Sequence, residues 1–264
     1  MDLQLSGKRA LVTGSTAGIG FAIALELARE GAMVTVNGRS TERVAAAMAR
    51  IRKEVPNAEV GGVAADLSTA YGVEALVERC PAMDILVNNL GIFDPVPFED
   101  IPDSEWQRFF DVNVMSGVRL CRHYLPRMKA AGWGRVVFIS SESGINPPAE
   151  MVHYGMTKAA QLSVSRALAQ TTTGTGVTVN AVLPGPTRSE GVADFFGKLA
   201  AAQGVSFEEA EKRFFAEARP TSILKRFIEP AEVAALVAYV CSPRASATNG
   251  AALRVEGGIV STLY

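Results

Sequence analysis

Tyr154 and Lys158 stand four residues apart in a stretch where Met156, Ala160, Val164 and Ala167 recur at helical spacing and mark an inner face. Both side chains then project from one side of one helix and can act as a unit. A free phenol ionises near pH ~10, too high for easy proton exchange at neutrality, and a neighbouring ammonium favours the phenolate and makes it a usable acid/base. Taken alone, a tyrosine four before a lysine is common and reads as structural. Ser141 closes a β-branched run thirteen residues before Tyr154, so a strand end and a helix start can bring both hydroxyls to one carbonyl oxygen. The alternative is a serine that merely turns or caps the chain in the run SSESG. A third feature is Thr13-Gly14-Ser15-Thr16-Ala17-Gly18-Ile19-Gly20, which follows one apolar run and opens a helix-period segment. Its glycines permit a tight turn and close backbone approach, and the free amides at the helix start attract a pyrophosphate. A plain turn before a helix would also favour glycine.

The elements that must carry these groups alternate. Short β-branched runs at 9–13, 33–38, 59–64, 85–87, 135–140 and 177–183 are separated by helix-period segments. That order is the signature of successive βα units and a parallel sheet. Several runs are apolar on successive residues, so helices should cover both faces. Phe21, Ala24, Leu25 and Ala28, and then Val44, Met48, Ile51 and Val55, are spaced as crossover helices. The turn-rich stretch at 171–176 should end a helix. No linker, charge block or repeat divides residues 1–264, which read as a single domain. The longest interruption, 189–226, holds Val192, Phe195, Phe196 and Leu199, then Phe207, Ala210, Phe214 and Phe215, in the pattern of two short amphipathic helices. Following a strand, they are a candidate substrate lid, or they pack on the body or on a neighbouring subunit.

Composition narrows the partners. The chain has 264 residues, 48% hydrophobic and 20% charged, which supports a large buried core and excludes a disordered protein. No apolar run approaches the roughly 18 to 20 residues that cross a bilayer, and the amino terminus lacks a signal-peptide pattern, so a cytoplasmic protein is expected. With 26 Lys+Arg against 27 Asp+Glu, the net charge of -1 gives no pull toward nucleic acid or anionic lipid, and a small-molecule partner is expected. Cys80, Cys121 and Cys241 lack the spacing of a zinc or redox site and read as reduced core residues, and no metal is called for.

The glycine loop has the spacing T-G-x-x-x-G-x-G, and at this point the chain resembles the short-chain dehydrogenase/reductase family, including its 3-oxoacyl-carrier-protein reductase-like members. Further blocks follow in order over nearly the whole length: Asp66-Leu67, Asn88-Asn89-Leu90-Gly91, Asn113, Ser141, Tyr154 with Lys158, Asn180, Pro184-Gly185, and Arg254-Val255-Glu256-Gly257-Gly258. The family usually has alanine where Leu90 stands and aspartate where Glu256 stands, and Leu90 is expected to crowd the cofactor ribose or reshape the nicotinamide pocket.

The resemblance implies a doubly wound Rossmann-type parallel sheet and an NAD(P)-dependent oxidoreductase acting on a carbonyl or secondary alcohol. It implies that Ser141 holds the reacting oxygen, Tyr154 is the acid/base, Lys158 tunes Tyr154 and binds ribose, and Asn113 positions a water behind Lys158 for proton exchange. The cofactor-binding set it implies comprises Gly14, Ser15, Thr16, Gly18, Ile19, Gly20, Arg39, Asp66, Leu67, Asn89, Gly91, Tyr154, Lys158, Pro184, Gly185 and Thr187.

An acidic residue at the end of the second strand would accept both adenosine ribose hydroxyls. Gly38 takes that place here and Arg39 follows it, which removes repulsion with a 2′-phosphate and offers a guanidinium to pair with it. NADP is therefore expected over NAD. The alternative is that Arg39 is a solvated loop cation, and the glycine loop carries Thr16 and Ala17 where a second basic residue is usual. His153 reads as an ordinary wall of the site. Glu142 either meets a basic or hydroxylated substrate or is a solvated acid. A homotetramer is implied by the resemblance and supported by an apolar helix with Val233, Leu236, Val237 and Val240 and by the apolar tail 257–264. The rival from another class is a nucleotide-sensing or scaffold protein that keeps the fold without turnover; the intact Ser-Tyr-Lys set argues against it.

Overall fold

The structure, a computed structural model, describes residues 1–263 apart from the side chain of Phe195; Tyr264, the end of the apolar tail, and the Phe195 ring lie outside the described residues. Seven parallel strands form one sheet: β1 (Arg9–Val12), β2 (Met33–Gly38), β3 (Val60–Ala64), β4 (Ile85–Asn88), β5 (Gly134–Ile139), β6 (Val177–Pro184) and β7 (Ala252–Val255). Their order is β3-β2-β1-β4-β5-β6-β7, so the winding reverses between β1 and β4, the crevice where doubly wound sheets bind ligands. Val12 pairs with Val36 on one side and Val87 on the other, which brings the loops after β1, β2 and β4 out together. β7 was not anticipated, because its residues alternate between half-buried and exposed and lack the apolar continuity of the inner strands.

Each inner strand supplies two cores. Ala10, Val12, Ile85, Val87, Val137 and Ile139 face the helices α1 (Gly18–Arg29), α2 (Thr41–Glu54) and α9 (Pro230–Cys241). The residues between them, Leu11, Leu86, Val136 and Phe138, face α3 (Ala70–Arg79), α5 (Ser116–Ala130) and α6 (Val152–Gln170). Strand alternation and burial on both faces account for the two layers of helices.

Helical faces differ in detail from the expected ones. In α1 the fully buried side chains are Ile23, Ala24, Leu27 and Ala28, with Phe21 and Leu25 at the flank. In α2 Val44, Ala47 and Ile51 are buried, and Val55 follows the last turn. α6 departs most: Met156 and Ala167 are exposed, and the buried face carries His153, Thr157, Lys158, Gln161 and Ser165. The face expected to be apolar is therefore not the inner one, because this helix turns its polar, chemistry-bearing side toward the sheet.

The apolar helix α9 packs on α1 inside the chain's own core, with Val233, Val237 and Val240 fully buried, Leu236 half-buried and Tyr239 exposed on its outer side. Ile259 and Val260 of the tail are likewise buried within the chain. α4 (Asp103–Phe110) runs into α5 through a π-helical turn, Asp111–Met115. Beyond β6, α7 (Glu190–Gln203) and α8 (Phe207–Glu217) form the two helices expected over 189–226. Cys121 and Cys241 are buried free thiols pushed up to about 12 by burial, and Cys80 is half-buried and also free. No helix among the described residues is long and apolar enough to cross a membrane.

Candidate active site

A cleft of about 990 Å³ runs over the carboxyl ends of the strands, from the glycine loop to Tyr154 and Lys158 and out under α7 and α8. At its first end Gly14 (φ +59) and Gly18 (φ +57) occupy the left-handed region, where a side chain would be strained. A Cβ on Gly20 would lie 2.4 Å from Asn89 Nδ2 and 2.5 Å from the Gly14 carbonyl oxygen, so only glycine lets α1 begin this close. Ala17 precedes α1 with no side-chain cap, and the first turn has no acidic residue, so its amides are open to an anion. These features fit a dinucleotide pyrophosphate.

Several expected cofactor residues shape the loop rather than face the cleft. Ser15 is fully buried: its N–H donates to Asn37 O at 2.9 Å, its hydroxyl donates to Val12 O at 2.6 Å, and it accepts from Asn37 N at 3.0 Å. Its donors are spent within the chain, which corrects its expected role as a direct ligand. Asn89 lines the cleft, yet its amide donates to the carbonyls of Thr13 and Gly14 at 2.9 and 3.1 Å, clamping β4 to the loop. Leu67 lies in the core with its side chain turned from the cleft, leaving its backbone alone to meet a ligand. Leu90, expected to crowd the ribose, packs back on that same core and does not line the cleft, while its neighbours Asn89 and Gly91 do.

Gly38 stands against Thr16: a Cβ there would come 2.5 Å from the Thr16 methyl, so no acidic side chain fits while Thr16 holds its place. Arg39 is exposed and, among the described residues, makes no ion pair. Asp66 is exposed on the adjacent strand end, where its Oδ1 accepts from Ser68 N and Oγ at 3.1 and 2.8 Å. Pro184, Gly185, Thr187 and Ile19 line the cleft, and the Thr187 hydroxyl donates to Gly185 O at 2.9 Å.

At the other end of the cleft the reacting groups meet. Ser141 follows β5 in extended conformation, lines the cleft together with Tyr154, and donates its hydroxyl to the Glu142 carboxylate. Lys158 is buried; its ammonium donates to Ile139 O at 2.9 Å and to Gln161 Oε1 at 3.2 Å, and lies 5.5 Å from the centre of the Tyr154 ring. Gly91 passes so close that a Cβ there would be 3.4 Å from Lys158 Nζ. Burial, and then the Glu142 charge, push the Tyr154 phenol up from its ordinary value, against an opposing hydrogen bond from Ser141. Burial pulls Lys158 down to about 7, opposed by Glu142. Among the protein's own groups burial outweighs the Ser141 hydrogen bond, so the chain by itself holds Tyr154 protonated; the expected favouring of the phenolate draws on the oxidised nicotinamide as well as on Lys158.

Asn113 sits in the π-helical turn and is fully buried. Its Oδ1 accepts from Ile92 N at 2.8 Å, and its Nδ2 donates to Ile92 O at 3.0 Å and to Thr157 Oγ1 at 2.9 Å, pinning the loop after β4 to α6. Its carbonyl accepts from Gln161 Nε2 at 2.6 Å. Gln161 thus bridges the Lys158 ammonium and the Asn113 carbonyl. Sequence reasoning missed Gln161, although its position three residues after Lys158 puts it on the same helical face.

Two neighbours are also placed. His153 is sealed between Phe109, 3.9 Å away ring to ring, and Trp106, with both ring nitrogens unpartnered; burial lowers its pKa, and it does not line the cleft. Glu142 is buried beside Ser141, with Arg219 Nε 3.6 Å from its other oxygen, so it is not a solvated acid. Outside the cleft, Asn180 ties β6 to the loop before β7 through Thr248 and Ala251, and Glu256 accepts the backbone N–H groups of Ile259 and Val260.

Comparison with known proteins agrees with this geometry. The family model for short chain dehydrogenase matches residues 8–199. The oxidoreductase YvaG of Bacillus subtilis is 52% identical over 264 residues, covering all of both chains. D-beta-hydroxybutyrate dehydrogenase of Cupriavidus necator is 34% identical over 98% of this chain and 100% of its own. The crystal structure of L-sorbose reductase from Gluconobacter frateurii, complexed with NADPH and L-sorbose, superposes with a TM-score of 0.94 at 32% identity over the full length of both chains. With a reversed-winding sheet, a glycine loop at the switch point and full-length likeness to these enzymes, the chain belongs to the short-chain dehydrogenase family, NAD(P)-dependent oxidoreductases that interconvert CH–OH and C=O groups.

Proposed function

We propose that this chain is an NADP-dependent carbonyl reductase or alcohol dehydrogenase working through Ser141, Tyr154 and Lys158. The observation that carries the reading is that Ser141, Tyr154 and the buried Lys158 line one end of a cleft whose other end is the glycine loop. The loop amides and the start of α1 would hold the pyrophosphate, Lys158 the nicotinamide ribose, and Arg39 the 2′-phosphate, with Asp66 and the Leu67 backbone at the adenosine end. When bound, the nicotinamide supplies the hydride. Tyr154, kept protonated by its burial, delivers the proton to the nascent alkoxide, and Ser141 holds the oxygen as charge develops on it. Lys158 restrains the phenolate that remains. The NADPH complex of the similar sorbose reductase supports the choice of cofactor, together with Gly38, which leaves no room for the carboxylate that would repel a 2′-phosphate.

On this reading α7 and α8 are a lid over the reacting end, since Phe196, Leu199 and Phe214 face the cleft from above. They favour carbonyl compounds with a substantial apolar portion over small polar sugars. The protein is further proposed to be a cytoplasmic homotetramer. The test is Tyr154→Phe, which removes the proton and keeps the ring: turnover of a carbonyl panel, followed by NADPH absorbance, should fall at least ~100-fold, while NADPH affinity stays within about threefold. Comparable turnover in the variant would remove Tyr154 from the mechanism.

A further inference from the structure

We propose that the substrate is a 2-hydroxy ketone bearing an apolar group and that Glu142 selects it by accepting its hydroxyl, an inference that rests on the reductase reading above. Ser141 and Glu142 both line the cleft, and both are buried. The Ser141 hydroxyl donates to Glu142 Oε2, and the Ser143 N–H donates to the same oxygen at 2.9 Å and to Ser141 Oγ at 3.1 Å. A serine has one proton to give. To hold a reacting carbonyl oxygen, Ser141 must turn that proton away from Glu142, which leaves Oε2 only the Ser143 N–H it already shares. An ionised carboxylate can only accept, and one that loses a donor inside a buried site is destabilised. Binding a plain ketone therefore carries a penalty, and a substrate that brings its own donor removes it.

The place of that donor is set. Ser141 Oγ and Glu142 Oε2 are a hydrogen-bonded pair, so they address two substrate oxygens that themselves lie side by side. The two oxygens of a 2-hydroxy ketone, on adjacent carbons, come to about the 2.5 to 3.0 Å of a hydrogen bond when they point the same way. The carbonyl then faces the serine and the hydroxyl faces the carboxylate. Phe196, Leu199 and Phe214 line the same cleft from the lid and offer the rest of the molecule an apolar wall.

The same carboxylate rejects a 2-keto acid, whose own carboxylate would set an acceptor against Glu142 Oε2. The cations of the cleft wall are engaged elsewhere. Arg219 Nη1 donates to Glu150 Oε1 at 3.1 Å and to Ala218 O at 2.7 Å, Arg213 pairs with Glu209 at 3.1 Å, and Lys158 donates to Ile139 O and to Gln161. Arg219 also orients the selecting group, because its Nε stands 3.6 Å from Glu142 Oε1 and leaves Oε2 to the serine side. The reaction is the reduction already described, with NADPH as reductant. The carbonyl carbon gains the hydride, its oxygen gains the Tyr154 proton, the 2-hydroxyl is unchanged, and the product is a vicinal diol.

2-Hydroxyacetophenone, 2-fluoroacetophenone and phenylglyoxylate test the selection, since fluorine keeps the small size and electron withdrawal of the hydroxyl but has no proton to donate. Followed by NADPH absorbance, the wild type should reduce the hydroxy ketone with a kcat/KM at least ~10-fold above the fluoro ketone, the scale of a hydrogen bond to a charged group. Phenylglyoxylate should fall at least ~10-fold below the fluoro ketone, as like charges brought together require. In Glu142→Ala the ratio of hydroxy to fluoro ketone should drop to about 1, whatever the overall rate. In Glu142→Gln, which removes the charge and offers an N–H, phenylglyoxylate should gain at least ~10-fold relative to the fluoro ketone. NADPH fluorescence titration verifies that each variant is folded. A wild type that reduces the hydroxy and fluoro ketones equally, or phenylglyoxylate as well as the hydroxy ketone, overturns the proposal even if neither variant folds. So does a Glu142→Ala enzyme that keeps the wild-type ratio, which would place the acceptor elsewhere. If the wild type reduces other members of a carbonyl panel but none of these three, the proposal fails and the reductase reading stands. Both fail if no carbonyl compound supports NADPH oxidation or if Tyr154→Phe is fully active.

Discussion

Lys158 is a cation held in a place that disfavours charge, and that has a consequence for stability. Burial lowers its pKa from 10.5 to about 7, so between those pH values the unfolded chain carries a proton that the folded chain has released. Unfolding free energy must then rise with pH through that span. The buried thiols of Cys121 and Cys241, raised from 9.0 to about 12, act in the opposite sense once pH exceeds 9.0, because the folded chain then keeps protons that the unfolded chain loses. The lysine effect is therefore visible from about pH 7 to about pH 9: the urea midpoint of the wild type should climb across that window, and that of Lys158→Met should be flat. A wild-type midpoint that falls there would show that Lys158 stays charged in the fold. Arg39 carries a separate prediction. As an exposed cation with no ion-pair partner among the described residues it is free to meet a phosphate, and Arg39→Ala should weaken NADPH binding by about 1.5 to 3 kcal/mol while leaving NADH unchanged. Equal losses for both cofactors in a fluorescence titration would make it a plain surface residue.

At the scale of elements, α7 and α8 form a small core of their own. Phe196, Ala200, Ala210 and Phe215 close around Phe227, whose ring lies 4.9 Å from Phe196 and 5.3 Å from Phe215. Glu211 fastens this unit from below, accepting from Phe227 N at 2.7 Å and pairing with Arg188. Phe215 is spent on packing, while Phe196 and Phe214 also line the cleft. A self-packed pair of helices can move as one body, so hydrogen exchange over 190–217 should slow when NADPH and a carbonyl substrate bind, with β4 and β5 unaffected. Phe227→Ala removes the ring at the centre and should cost ~3 to 5 kcal/mol of protection confined to these helices. Loss spread evenly over the sheet would mean that the pair is not a separate unit.

For the whole molecule, Val233, Val237 and Val240 of α9 and Ile259 and Val260 of the tail are buried within the chain, which leaves Leu236, Tyr239 and Leu263 as the apolar side chains of these segments open to another subunit, and the proposed tetramer rests chiefly on family likeness. It remains the expected state at micromolar concentration, with light scattering giving about four times the 28.0 kDa of one chain. A monodisperse 28.0 kDa species would refute it.

Much of this protein was legible in its residues because periodicity and motif spacing are local. Six of the seven strands, the glycine loop, the pair on α6 and the two helices after β6 follow from patterns of a few residues each. The partners of buried polar groups were not legible, since they come from distant segments. Gln161 reaches Asn113 across 48 positions, Arg219 returns from beyond α8 to Glu142, and Phe227 completes a core begun thirty residues earlier, as close packing and desolvation decide among neighbours that no local pattern records. Desolvation, which no local pattern records, also sets the direction in which the Tyr154 phenol is pushed in the chain alone. The sequence by itself determined which groups could do chemistry and which elements carry them; only the tertiary structure decided which are sealed and which are spent on the scaffold, because burial and partners come from distant segments.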